Sequence, residues 1–90
     1  MNGNDRVATI QNKRGLHARA AAKFAQVAGE FDAQVTVSRG GQSVSGISIM
    51  GLMMLAANPG TQISLSATGA QATAALDAIC GLIDAKFEED

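Results

Sequence analysis

His17 is the only histidine in a chain of 90 residues, and the segment around it reads NKRGLHARAAAKF from Asn12 to Phe24. Lys13, Arg14 and Arg19 crowd the start of an alanine-rich run that has the makings of a helix. The positive end of a helix favours acids, yet the segment holds none. Histidine also stands where Ser, Thr or Asp would ordinarily cap. With His17 as the cap, Ala18 and Arg19 fall in the first helical turn and their backbone N–H groups have no helical partner. Those donors, the helix dipole and the planar guanidinium of Arg19 together make a seat for a phosphate-like anion. A helix N-terminus disfavours an imidazolium, so the ring is expected to be neutral, with a lone pair suited to attack on phosphorus. Gly15 permits a close backbone approach, and Leu16 can dock into the core and fix the direction of the histidine. The competing reading is a surface histidine that merely caps a helix. Residue types and spacing leave both open.

A second stretch of interest begins at Ser48, a candidate helix cap whose simplest task is to bond an unpaired backbone N–H. It heads an apolar run, Ile49 to Ala57, too apolar to hide every side chain against a thin sheet. Leu52 and Leu55 are expected to form the core edge. Met50, Met53 and Met54, with Ile49 beside them, are left as an outward patch. Each methionine taken singly is more simply a gap-filling core residue, but as a set they suit a surface that must accept differently shaped partners.

Composition narrows the function classes. A net charge of −1 with 3% aromatic residues shows neither the basic stripe nor the stacking platforms of a nucleic-acid reader. One cysteine, Cys80, excludes an internal disulfide framework, and the lack of a Cys/His cluster argues against a metal site; no cofactor is expected. The leading MNGNDRV lacks the layout of a signal peptide, and Leu52 to Ala57 falls far short of the about 20 residues needed to span a bilayer. A cytoplasmic monomer with no membrane contact is expected.

The elements that must position these residues follow from period and punctuation. VATIQ from Val7 to Gln11 alternates as a half-buried strand. Ala18 to Ala28 forms the first helix, with Ala21, Phe24, Ala25 and Ala28 on one face and Gly29 as its stop. Phe31 to Ser38 alternates, the glycines of Arg39-Gly40-Gly41-Gln42 make a tight turn, and Ser43 to Gly46 runs back. Ile49 to Ala57 is a second helix ended by Asn58-Pro59-Gly60. Thr61 to Ala67 places Ile63, Leu65 and Ala67 on one face of a last strand. Gln71 to Phe87 carries Ala75, Leu76, Ile79, Leu82, Ile83 and Lys86 at helical intervals, before a solvated tail, Glu88-Glu89-Asp90. The order βαββαβα predicts an α+β open-faced β-sandwich, residues 1–90 as a single domain: a four-stranded, mainly antiparallel sheet with three helices on one face.

GLHARAAAKF, followed by SGISIMGLMMLAANPGTQISLSATG, resembles the HPr family of phosphocarriers of the phosphoenolpyruvate-dependent phosphotransferase system, nitrogen-related branch included. The likeness runs from Val7 to the last helix. It implies that His17 accepts a phosphoryl group on Nδ1, with Arg19 facing the phosphate. It further implies that the helix after Ser48 docks both enzyme I, the donor, and an enzyme IIA-type acceptor. Ser48 falls on a serine that relatives phosphorylate where a dedicated HPr kinase/phosphorylase exists. Ala20 departs from the family, which commonly has proline there; proline is favoured but not required in a first turn, so the site is expected to survive. The chain is expected to relay a phosphoryl group, with no independent small-molecule turnover, the second helix lying beside the histidine and no general base near it. The alternative is a regulatory docking module of the same fold, in which His17 only caps.

Overall fold

The computed structural model describes residues 4–89. In chain order they form β1 (Asp5–Thr9), α1 (Ala18–Gly29), β2 (Gln34–Arg39), β3 (Gln42–Ser45), α2 (Ile49–Met54), β4 (Gln62–Thr68) and α3 (Ala72–Asp84), then a 3-10 turn over Lys86–Glu88. The strands lie in the order β1-β4-β2-β3, and each neighbouring pair is antiparallel. The expected open-faced architecture is therefore present, with a sheet more uniform than "mainly antiparallel".

Period-two alternation sends Val35 and Val37 of β2, and Ile63, Leu65 and Ala67 of β4, into the core. There they meet Ala20, Ala21, Phe24 and Ala28 of α1, Leu52 of α2, and Ala72, Ala75, Leu76, Ile79 and Ile83 of α3. The opposite face of the sheet carries Thr36, Ser64 and their neighbours. The β2–β3 hairpin turns on Gly40 and Gly41, at φ 55° and 86°, a pair of positive values that the tight two-residue turn demands.

β2 begins at Gln34 and not at Phe31, β3 and β4 are offset by one residue from the sequence reading, and four further differences have a packing reason. β1 starts two residues earlier, and its register sets Val7 opposite Ser64 and Ala8 opposite Ile63. Val7 thus stands on the open face, 64% exposed, while Ile10 beyond the strand is fully buried. Gly29 is not the stop of α1 but its last residue, and Glu30 closes the helix. α2 ends at Met54 and not at Ala57, because Ala56 turns to φ 54° and the Ala57 carbonyl accepts from Leu16 N instead. Arg39 Nη1 donates to the Leu55 carbonyl at 2.9 Å, placing a cation at that helix end, where the dipole favours one.

The fourth difference matters most for the site. α3 stops at Asp84, and Lys86, Phe87 and Glu88 adopt φ of 55°, 55° and 63°. This left-handed run drives Phe87 into the core with no exposure. Lys86, expected on the helix face, is outside the helix, and Asp90 lies outside the described residues.

Candidate functional site

The loop before α1 is held by its own backbone and by the segment after α2. Gly15 has φ 66°, and a Cβ at that position would collide with the Ala57 carbonyl oxygen. Leu16 is buried, and its N–H donates to that same carbonyl at 3.0 Å. His17 follows with extended backbone (φ −78°, ψ −178°) as the N-cap of α1. Its Nδ1 accepts from the backbone N–H of Arg19 at 3.3 Å, and its carbonyl accepts from Ala21 N at 2.8 Å. An imidazole thus occupies the capping position, anchored on one side by the first turn of the helix.

On the other side stands a carboxylate. Glu89 Oε2 lies 2.6 Å from His17 Nε2, and Glu89 Oε1 accepts from Asn12 Nδ2 at 3.1 Å. Asn12 is fully buried and also donates from Nδ2 to the Gly15 carbonyl at 2.8 Å, so one amide ties the histidine loop to the tail. The tail is held from α1 as well, where Lys23 Nζ donates to the Phe87 carbonyl at 2.6 Å. Lys13, Arg14, Arg19 and Glu89 line one cleft. The acid that the sequence does not supply near the helix start therefore arrives from the other end of the chain. This corrects two expectations: Glu89 belongs to no solvated tail, its side chain being 10% exposed, and an acid–base group does stand beside His17.

Burial by itself pushes the Glu89 carboxyl up. Hydrogen bonds from Asn12 and His17, with the charges of His17 and Lys23, outweigh that effect and leave its pKa below the ordinary carboxyl value. A carboxyl depressed in the folded state contributes stability that is fully present above its unfolded value. That contribution is lost as pH falls through the folded value, so acid loosens the tail.

Ala18 and Arg19 are exposed at the first turn of α1, and Ala20 is buried. Ser48 caps α2, its Oγ accepting from Gly51 N at 3.0 Å. On α2, Leu52 is buried, as is Leu55 at its end, while Ile49, Met50, Met53 and Met54 are 43%, 73%, 42% and 68% exposed. Ile47, to which the sequence reading assigned no element, is 64% exposed just ahead of the Ser48 cap. α1 and α2 pack on each other. Sequence reasoning thus missed Asn12, Ile47 and Glu89. One signal existed for the last: a large aromatic, Phe87, stands among the charged residues of KFEED, and burial of that ring pins its neighbours to the body. Among the described residues no His, Cys, Asp and Glu side chains gather in a metal-binding group, and no helix is long and apolar enough to cross a membrane.

A family model described as the PTS HPr component phosphorylation site matches residues 5–85. The chain is similar to phosphocarrier protein NPr of Shewanella violacea, 53% identical over 85 residues, covering 94% of this chain and 93% of that protein. It is also similar to phosphocarrier protein HPr of Pseudomonas putida, 55% identical over 82 residues, covering 90% and 91%. Among solved structures, HPr-C-His from Thermoanaerobacter tengcongensis superposes with a TM-score of 0.91 at 41% identity, covering 96% of this chain and 97% of that one.

Proposed function

Because this chain belongs to the HPr family of phosphotransferase-system phosphocarriers, we propose that residues 1–90 act as one phosphoryl-relay unit with His17 as the acceptor. Nδ1 takes the group from phosphorylated enzyme I and yields it to a histidine of an enzyme IIA-type protein in the cytoplasm. The observation that carries this reading is the Arg19 N–H directed at Nδ1 of a histidine that caps a helix. When Nδ1 bonds to phosphorus, that donor and the helix dipole lie beside the new phosphoryl oxygens. Arg19, which lines a cleft with Glu89, the partner of His17, supplies guanidinium charge to them in this reading.

Arg19→Ala separates this role from a structural one. A cation in the first turn of a helix opposes the dipole, so its removal is expected to leave stability unchanged or slightly higher, by up to about 0.5 kcal/mol. Transfer from enzyme I is expected to slow by about 100- to 1,000-fold, the loss associated with removing one group aimed at developing transition-state charge. Stopped-flow transfer and urea unfolding on the same sample decide it. A parental transfer rate removes Arg19 from the site.

Ile49, Met50, Met53 and Met54 form the docking face for both partners in this proposal, and Ser48 is its regulatory position. Phosphate on Ser48 would keep the helix start favourable while putting charge at the edge of a surface that partners must dehydrate. Ser48→Asp preserves a capping oxygen and is expected to fold normally. Its apparent KM for enzyme I is expected to rise by about tenfold, or ~1.4 kcal/mol of docking free energy, and Met53→Glu to act in the same direction. Parental KM values in both variants would move the docking face elsewhere.

A further inference from the structure

His17 is held at both ring nitrogens by unlike partners: a backbone N–H on Nδ1 and a carboxylate on Nε2. An N–H requires a lone pair on the nitrogen it addresses, and a carboxylate requires a proton. Both contacts are satisfied together in a neutral ring only by the Nε2–H tautomer. We infer that Glu89 is a positioning residue for phosphoryl transfer, holding the imidazole proton on Nε2 so that the Nδ1 lone pair faces the incoming phosphorus. This inference rests on the assignment of His17 as acceptor.

The placement of Glu89 is built into the fold. Its carboxylate is shared between His17 and the fully buried Asn12, whose amide also fixes the backbone at Gly15. Phe87, two residues earlier, is anchored in the core, and the left-handed run from Lys86 to Glu88 turns the chain back toward α1. Lys13, Arg14 and Arg19 around the same cleft offset a carboxylate set so near an incoming phosphoryl group.

The step balances without a further reactant. The Nδ1 lone pair forms the bond to phosphorus while the bond between phosphorus and the donor atom of phosphorylated enzyme I breaks, its electron pair staying on that atom. The proton on Nε2 remains there, the ring gains a positive charge, and Glu89 lies against it. On transfer onward the Nδ1–P pair returns to His17 and the neutral tautomer is restored. Glu89 exchanges no proton with the reacting atoms.

The test is Glu89→Gln, which keeps size and the Asn12 contact but allows the amide to donate to Nε2 and so move the ring proton to Nδ1. With one histidine in the chain, nitrogen-15 labelling of histidine reports its tautomer directly, above the pH at which the ring is charged and with no donor protein present. The parent is expected to show the Nε2–H form and the variant a shift toward Nδ1–H. Transfer from phosphorylated enzyme I is expected to slow by about tenfold or more, as when a tautomer-fixing carboxylate is replaced by its amide elsewhere. An Nδ1–H form in the parent, an unshifted tautomer in the variant, or a shifted tautomer with a parental transfer rate would each overturn the inference. Failure of the parent itself to accept phosphate would instead overturn the assignment of His17.

Discussion

His17→Ala is expected to abolish phosphoryl acceptance from phosphoenolpyruvate and enzyme I while the protein stays folded. The two halves of that expectation have separate origins. Loss of chemistry is complete because the chain has no second imidazole to take the group at this site. Loss of stability is small because His17 contributes a cap of 3.3 Å length and one contact to Glu89, not core volume. Replacing a cap by alanine costs about 0.5–2 kcal/mol, against about 5–15 kcal/mol for a typical domain. Glu89 retains Asn12 Nδ2 as a partner in the variant, so no carboxylate is left wholly unpaired. Mass measurement of the acid-labile adduct, with urea unfolding of both proteins, reads the two effects independently. A parental yield of phosphoprotein in the variant would end the carrier assignment.

What was legible in the sequence, and what was not, divides by the range of the interactions. Period two in Thr61 to Ala67 identified Ile63, Leu65 and Ala67 as core, because strand alternation is local and the sheet buries one face only. The cap at His17, the cap at Ser48 and the turn at Gly40-Gly41 were readable for the same reason: each depends on residues within three or four positions. The face that Val7 takes was not legible, since the alternation of VATIQ does not say which phase points inward and only the pairing with β4 decides it. The end of α2 was misread because the Ala57 carbonyl is claimed by Leu16, a partner some 40 residues away, flagged by no local pattern. Glu89 is the extreme case. Its contact with His17 spans 72 positions and depends on a left-handed turn that helix periodicity argues against. Half of the histidine's environment was therefore written beside it, and the other half lay at the opposite end of the chain.

The same turn makes the two buried phenylalanines unequal, which is the second large effect expected. Phe24 in α1 and Phe87 in the tail are both fully buried, and by size alone either truncation to alanine should cost about 3–5 kcal/mol. Phe24 sits on a regular helix, so its loss leaves a cavity with nothing to offset it. Phe87 reaches the core through a run of three residues at φ 55°, 55° and 63°, a conformation that costs L-residues about 1–2 kcal/mol each. Once its anchor is removed the tail can peel away, releasing that strain and recovering chain entropy, at the cost of the Lys23 bond to the Phe87 carbonyl and the Glu89 contacts. Strain release opposes most of the lost burial, and Phe87→Ala is expected to cost less than about 2 kcal/mol, well under half the cost of Phe24→Ala. Urea unfolding of the two variants under identical conditions measures the difference, and equal losses would show that the left-handed run stores no appreciable strain. The functional consequence is inverted, because peeling of the tail takes Glu89 from Nε2 while Phe24→Ala leaves it bound. Phosphoryl transfer is therefore expected to fall more in the milder variant, Phe87→Ala, than in Phe24→Ala assayed where both are folded.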